Sequence, residues 1–404
     1  MKRVAILSMH TSPLAQPGVG DGGGMNVYVR ELVSALAHAG LDCTTYTRAW
    51  NSELPRVVQV EPNHRVVHIP AGDFNLPKGE LLSVVDEFAD GVRDDIVANG
   101  GTDVLHANYW LSGIAGHRLK HELDLPLVMT FHTFARVKAQ GGDPESAVRE
   151  DSEASIIGCT DAICVSCTEE ERQFRDLYGD PPGSIEIVAP GVEHAFFAPG
   201  DKRGARHALR IPFDAPVMLF VGRIQPLKGL DVAVRTLSEI DDTASRLIVV
   251  GGASGEEGDH EVARINELID QLNLRERVQF VAPQAHHILS TYYRAADVVI
   301  VPSRSESFGL VALEAAACGI PVVASGVGGL ITIVDDGVTG HLVADRDPVV
   351  FAKHVNRLFS DRIAAAEMGR RAAEKARHYT WSFAAARLRR AYADVTTRER
   401  VACR

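Results

Sequence analysis

Two carboxylates eight residues apart, Glu306 and Glu314, stand in the segment PSRSESFGLVALEAAACGIP, residues 302–321. An apolar run, Asp297 to Val301 (DVVIV), precedes it and reads as a strand. A polar loop follows, then Gly309, then a helix-like run from Leu310 to Ala317 stopped by Gly319 and Pro321. A helix start offers free backbone N–H groups and a positive dipole end, so the loop before it suits a phosphate. A carboxylate further into the helix suits sugar hydroxyls, which need a charged acceptor. The two together suggest a nucleotide-sugar site. The competing reading is an ordinary strand–loop–helix unit with a solvated Glu, and the rest of the chain must decide between them.

A second loop of this kind follows the apolar strand Val217 to Val221. It reads Gly222-Arg223-Ile-Gln-Pro-Leu-Lys228-Gly229 and runs into a helix. Arg as a forked donor and Lys as a point charge suit a diphosphate, where a solvated basic loop is the alternative. His10, Tyr109 and His132 each fall just after an expected strand, where ligands bind in open parallel sheets. A lone His there is more often structural, but three such residues concur. Gly18-x-Gly20-x-x-Gly23 matches the dinucleotide fingerprint literally but weakly, because about ten residues separate it from the first strand. Asp42, at about the right distance for the fingerprint acid, lies before the second strand and not at its end. Glycines 22 to 24 directly before a helix still allow an anion to approach the backbone closely, against the plainer reading of a flexible loop.

These residues need a scaffold of alternating strands and helices. Strands are expected at Val4–Met9, Cys43–Thr47, Val57–Val60, Arg65–Ile69, Val104–His106, Leu127–Thr130 and Ala162–Val165. Between them lie helices from about Asn26 to Ala39, Glu80 to Ala98 and Gly113 to Glu122. A further helix, Thr168 to Tyr178, would have Thr168 as its N-cap. The pattern breaks into Pro, Gly and charge after Pro190, which places a linker near Phe197–Asp214. A second run follows, with strands at Arg246–Val250, Val278–Val281, Val322–Ala324 and Gly340–Val343. Gln284-Ala-His286-His287 reads as a loop and helix start, because adjacent histidines chelate poorly on regular structure. From Pro348 to Arg398 the chain reads as helical.

The chain has 404 residues, too many for one ordinary core and enough for two domains. Hydrophobic content of 46% and charged content of 24% describe a soluble globular protein. The net charge of −11 argues against a general nucleic-acid binder, which would present a basic face. No apolar stretch approaches the roughly 20 residues of a membrane span, and the apolar run in MKRVAILSMH is too short for a signal peptide. The six cysteines follow no framework spacing, and Cys164-x-x-Cys167 has no second pair to make a zinc or redox site. A reduced, cytoplasmic setting is the default.

Together Gly22-Gly23-Gly24-Met25-Asn26, His132-Thr133, Gly222-Arg223-x4-Lys228 and Glu306-x7-Glu314, with Ser307-Phe308-Gly309 inside it, resemble the retaining glycosyltransferases of family 4. The similarity runs through nearly the whole chain in the expected order. It implies an α/β GT-B fold of two Rossmann-like, doubly wound parallel-sheet domains facing a central cleft. Residues 1–198 would form the acceptor-binding domain, 199–380 the nucleotide-sugar domain, and 381–404 a helix packing back toward the first. Within the family, HTSPLAQPGVGDGGGMNVY and VGRIQPLK look like the mycothiol glycosyltransferases, which join N-acetylglucosamine from UDP-GlcNAc to 1D-myo-inositol 3-phosphate.

The resemblance implies that the Gly23 backbone, Arg223 and Lys228 hold the diphosphate, that Glu314 binds the ribose, and that Gln284 lies beside the uracil. Glu306, His132, Ser307 and the amides of Phe308, Gly309 and Leu310 would position the donor sugar and β-phosphate. His10, Thr11, Asn26, Lys78, Tyr109, Thr133 and Arg149 would hold the acceptor, Lys78 and Arg149 as the two cations a phosphate monoester wants. Departures fall on the acceptor side. Ala107-Asn108 stands where the family usually has Ser-His, Phe134-Ala-Arg136 and the residues after Arg149 differ, and Arg149 is single where a pair is usual. A different cyclitol, an aminocyclitol or a sugar phosphate is therefore the alternative acceptor.

The implied reaction is transfer with retention, the leaving phosphate oxygen taking the acceptor proton. Glu306 and Glu314 do not read as a hydrolase pair, one being in a loop and the other inside a helix. No Asp-x-Asp motif accompanies them, so no metal site and no required cofactor are expected, with Mg2+ at most accessory. Expected partners are a nucleotide sugar and a small cyclitol or sugar-phosphate acceptor, with no nucleic acid, no integral membrane association, and homodimerisation left open. An NAD-dependent oxidoreductase, from the glycine fingerprint, and a non-catalytic carbohydrate-binding module are the rival classes.

Overall fold

The apolar runs of the chain become two separate sheets in the computed structural model, which describes residues 1–18 and 22–403, without the side chains of residues 255–257. The first has eight strands: β1 (Arg3–Leu7), β2 (Asp42–Arg48), β3 (Val57–Glu61), β4 (His64–Ile69), β5 (Val104–Asn108), β6 (Leu127–Thr130), β7 (Ala162–Val165) and β8 (Ser184–Ile187). Their spatial order is β3-β4-β2-β1-β5-β6-β7-β8. The second has six: β9 (Val217–Val221), β10 (Arg246–Val250), β11 (Val278–Val281), β12 (Val298–Val301), β13 (Val322–Ser325) and β14 (Gly340–Val343), in the order β11-β10-β9-β12-β13-β14. Every pairing is parallel except β3 with β4.

Parallel strands covered on both faces are apolar throughout, which is why VVIV of β12 is buried at every position. In the first sheet the two-residue period still sorts the side chains. Val4 and Ile6 of β1 pack with Val29, Leu32 and Leu36 of the helix Gly24–His38 and with Trp381, Leu388 and Tyr392 of the helix Trp381–Thr397. Ala5 and Leu7 face the opposite way, toward Phe88 and Val92 of the helix Val85–Ala98 and Leu111 and Leu119 of Trp110–Leu123.

By compactness the chain divides into two units. Unit 1 comprises Met1–Ala15, Met25–Gly191 and Trp381–Arg404, and unit 2 comprises Gln16–Gly24 and Val192–Thr380.

Several sequence expectations are corrected. β3 runs antiparallel to β4, so the first sheet is mixed and not wholly parallel. The expected helix from Glu80 begins as a 3-10 segment, Lys78–Val84, before the α-helix Val85–Ala98. The single C-terminal helical run is three helices, Pro348–Ser360, Arg362–Ala376 and Trp381–Thr397. Asp361 breaks the first from the second, its carboxylate capping the N–H of Ala364. Thr168 is the first helical residue, and Cys167 occupies the cap position without a side-chain cap bond. Strand β8 was not anticipated. Gly20 of the glycine fingerprint lies outside the described residues. Cys159 and Cys403, read as scattered, are joined as a disulfide with Cα atoms 4.4 Å apart. Cys164 and Cys167 are buried, unbridged thiols, and burial pushes that of Cys164 up to about 12.

Candidate active site

In both sheets the strand order reverses beside a central strand, β1 in the first and β9 in the second, and ligands bind at the carboxyl ends there. In unit 2 the chain leaving β9 keeps pairing with the neighbouring segment: Gly222 N–H donates to Val250 O at 3.0 Å and Ile224 N–H to Gly252 O at 2.8 Å. A 3-10 turn, Pro226–Lys228, then ends at Gly229, whose φ is 71°. A Cβ at Gly229 would run into the carbonyl of Pro302, so glycine lets the loops after β9 and β12 touch. That approach delivers Lys228 to Glu306, Nζ donating to Oε2 at 2.7 Å. The Glu306 carbonyl is itself fixed by the N–H of Gly329 at 2.9 Å.

Arg223 Nη1 donates to Ser254 Oγ at 3.0 Å, and a Cβ on Gly23 would stand 3.2 Å from Arg223 Nε. The Gly23 backbone and the guanidinium therefore share one corner of unit 2. The helix Leu310–Ala317 starts from Gly309 at φ 100°, which has no side chain to cap it. Its first-turn N–H groups thus lack an intrahelical acceptor and suit an anion. One turn on, Glu314 is 5% exposed. Its Oε1 lies 2.7 Å from His286 Nε2, and its Oε2 accepts from Tyr293 O–H at 2.7 Å. Burial, then the facing Glu314, pushes the Tyr293 phenol well above its ordinary range, so it remains a donor. Each carboxylate oxygen keeps a second lone pair for a ligand hydroxyl. Gln284 sits in the loop after β11 and donates to the Ala282 carbonyl at 2.8 Å.

In unit 1 residues after β1, β4, β5 and β6 gather around Tyr109. The His10 ring lies 4.3 Å from the Tyr109 ring, Lys78 Nζ 5.4 Å from its centroid and the Arg149 guanidinium 5.0 Å. Tyr109 and His132 both adopt positive φ, 74° and 63°, a costly backbone for side chains of this size. Strain of this kind at the ends of adjacent strands marks positions held for a purpose. Asn26 Nδ2 donates to Thr11 Oγ1 at 2.7 Å and to Ser12 O at 2.5 Å, closing the loop after β1. His132 Nε2 lies 2.9 Å from Asn108 Oδ1, and Tyr28 meets its ring edge-on at 4.8 Å. Burial, helped by His106, depresses the His132 imidazole to about 3, so it is neutral. With Asn108 Oδ1 accepting, its proton sits on Nε2 and Nδ1 is the acceptor nitrogen.

Arg149 departs from the role its type suggests. It is 2% exposed and its donors are committed: Nε to Glu153 at 2.8 Å, Nη1 to Glu145 at 2.6 Å and Tyr109 O–H at 3.3 Å, Nη2 to the Thr133 carbonyl at 2.9 Å and hydroxyl at 3.1 Å. Two carboxylates neutralise it, so it fixes Thr133 and Tyr109 and brings no net positive charge to the site. Sequence reasoning missed these carboxylates, and also His286 and Tyr293 behind Glu314, Ser254 behind Arg223, and Asn108 behind His132. Glu145 and Glu153 sit four residues either side of Arg149, a spacing that signals helix ion pairs and was legible in principle.

Two sheets of this topology, with phosphate-type loops after the central strands, define a glycosyltransferase of GT-B type. Residues 22–196 match the family model "Glycosyltransferase Family 4" and residues 201–378 match "Glycosyl transferases group 1". The chain belongs to the family 4 glycosyltransferases and is a hexosyltransferase. It is 44% identical to the D-inositol 3-phosphate glycosyltransferase of Xylanimonas cellulosilytica, with 98% of this chain and 97% of that one aligned. The protein of the same name from Mycobacterium tuberculosis is 44% identical, over 94% of this chain and 80% of that one. Among solved structures, sucrose-phosphate synthase from Thermosynechococcus elongatus superposes with a TM-score of 0.92 at 32% identity, covering 98% of this chain and 99% of that one. No helix among the described residues is long and apolar enough to cross a membrane.

Proposed function

We propose that this enzyme moves N-acetylglucosamine from UDP-GlcNAc onto 1D-myo-inositol 3-phosphate with retention of anomeric configuration. The observation that carries the donor half is the corner of unit 2 where Gly23, Arg223, Lys228, Glu306 and an uncapped helix start converge. The relatives named D-inositol 3-phosphate glycosyltransferase support the acceptor.

Arg223, Lys228 and the amides of Phe308, Gly309 and Leu310 neutralise the diphosphate as it departs, an interaction that strengthens as charge develops. Glu314, held by His286 and Tyr293, accepts the two ribose hydroxyls. Gln284 lies beside the base. Glu306 and Ser307 orient the donor sugar, and Lys228 leaves Glu306 for the phosphate when donor binds. Neutral His132 accepts a hydrogen bond from a sugar hydroxyl at Nδ1 without adding charge. The acceptor hydroxyl attacks from the face the phosphate leaves, and the phosphate oxygen takes its proton. No cofactor beyond the UDP-sugar enters this scheme.

On the acceptor side His10, Thr11, Asn26, Tyr109 and Thr133 shape the cyclitol pocket, and Lys78 is the cation that meets its phosphate. The neutralised Arg149 favours a second reading, the same donor chemistry with an aminocyclitol or another sugar phosphate. UDP release from a panel of nucleotide sugars, tested with inositol phosphates and aminocyclitols and read by product mass and anomeric NMR, tests both. UDP release with aminocyclitols but none with inositol phosphates would replace the acceptor, and an inverted product would end the retaining mechanism.

A further inference from the structure

Away from the residues assigned to substrates, unit 1 gathers four metal-ligating side chains from three segments. His117 and His121 sit one turn apart on the helix Trp110–Leu123, Cys159 lies just before β7, and Cys403 follows the helix Trp381–Thr397. One donor atom from each lies within 4.8 Å of every other. His121 Nε2 is 3.0 Å from Cys403 Sγ and 3.3 Å from Cys159 Sγ, and His117 Nε2 is 3.5 Å from Cys403 Sγ.

We propose that His117, His121, Cys159 and Cys403 form a tetrahedral zinc site that fastens the segment after the last helix to the first sheet. Two histidines at i and i+4 are the spacing with which one helix face offers two ligands to zinc. With Zn–N near ~2.0 Å and Zn–S near ~2.3 Å, tetrahedral ligands stand about 3.3–3.8 Å apart, which the N···S separations already approach. Two thiolates and two neutral imidazoles also cancel the charge of Zn2+. A disulfide between Cys159 and Cys403 accounts for the sulfurs alone and leaves the convergence of both Nε2 atoms on them without a reason. The metal and the disulfide are alternatives, because zinc takes the same two sulfurs as thiolates.

The frame around the cluster is fixed by one buried carboxylate. Asp161 Oδ2 accepts from Lys120 Nζ and from Leu127 N–H, each at 2.8 Å, while its Oδ1 accepts from Val401 N–H at 2.7 Å. Lys120 also donates to the Cys159 carbonyl at 2.7 Å. Asp161 thus holds the residue before His121, the stretch around Cys159 and the chain two residues before Cys403 in one network. Such outer support orients ligands before the metal arrives.

The test is the metal content of untagged full-length protein, purified under reducing conditions without chelator. One zinc per chain is expected, falling to background in Cys403→Ser and His117→Ala. Cobalt reconstitution should give the visible bands of tetrahedral Co2+ with thiolate charge transfer. Cys403 is exposed and outside the packed core, so Cys403→Ser removes its cross-link to Cys159 and no buried side chain, and circular dichroism checks that it folds. Zinc retained in Cys403→Ser would overturn the site. So would wild-type protein that carries no zinc, takes up no cobalt and shows the 159–403 linked peptide throughout.

Discussion

Replacing Glu314 by Gln isolates one charge in unit 2 and tests the proposed donor site. The carboxylate accepts from His286 Nε2 and Tyr293 O–H, both at 2.7 Å, and an amide of the same shape keeps a contact to each, its oxygen accepting from His286 and its NH2 donating to the Tyr293 oxygen. The fold should therefore survive, and the loss should fall on the ligand. A hydrogen bond to a charged group contributes about 1.5–3 kcal/mol, and each 1.4 kcal/mol is about tenfold in affinity. Glu314→Gln should weaken UDP and uridine binding by roughly 10- to 100-fold, read by titration calorimetry. Inorganic pyrophosphate has no ribose, so its affinity should stay within about twofold. Equal weakening of pyrophosphate would show that Glu314 acts through the phosphate loops, and unchanged UDP binding would remove it from the site.

Lys228→Ala should lower kcat by about 10²-fold with a smaller change in UDP-sugar affinity, because the charge Lys228 meets grows toward the transition state. A matching rise in KM at constant kcat would refute that role. Arg149→Met should destabilise unit 1 by about 3–5 kcal/mol in denaturant unfolding, since Glu153, 0% exposed, keeps its bonds from Ala135 N–H and Tyr178 O–H but loses the buried cation that neutralises it. A loss below about 1 kcal/mol would contradict the closed network. His106, 1% exposed, has its imidazole depressed by burial from 6.5 to about 3. A lowered histidine is neutral in the fold, so its contribution is present above pH 6.5 and lost as pH falls toward 3. Between pH 7 and 5 it should account for about 2 kcal/mol of lost stability, and His106→Gln should flatten the profile by that much. Parallel profiles for the two proteins would disprove it.

The loops that carry Arg223, Lys228, Glu306 and Glu314 were legible because their signal is local. An apolar run followed by Gly-Arg-x4-Lys, or by a loop and an alanine-rich helix, declares strand, phosphate loop and helix within thirty residues. The strands followed from apolar runs such as VMLFV, and their parallel pairing from the family resemblance. What stayed hidden depends on tertiary neighbours. Strand β8 is only four residues long and half-buried throughout, too short for the alternation in SIEI to stand out from the loops around it. Arg149 advertises a cation until the carboxylates around it are seen. The His117, His121, Cys159 and Cys403 grouping is invisible in the chain because its cysteines are 244 residues apart.

The helix Trp381–Thr397 has a bearing on synthesis. By Ile187 a ribosome has delivered every strand of the first sheet, yet Trp381, Leu388 and Tyr392, which cover the Val4 and Ile6 face, are still unmade. The nascent first half must therefore wait with part of its greasy surface bare while Val192–Thr380 emerge. A fragment ending at Gly191 would carry that wound permanently, so co-expression with a peptide of the last helix, not shortening the chain, is the route to a folded first unit.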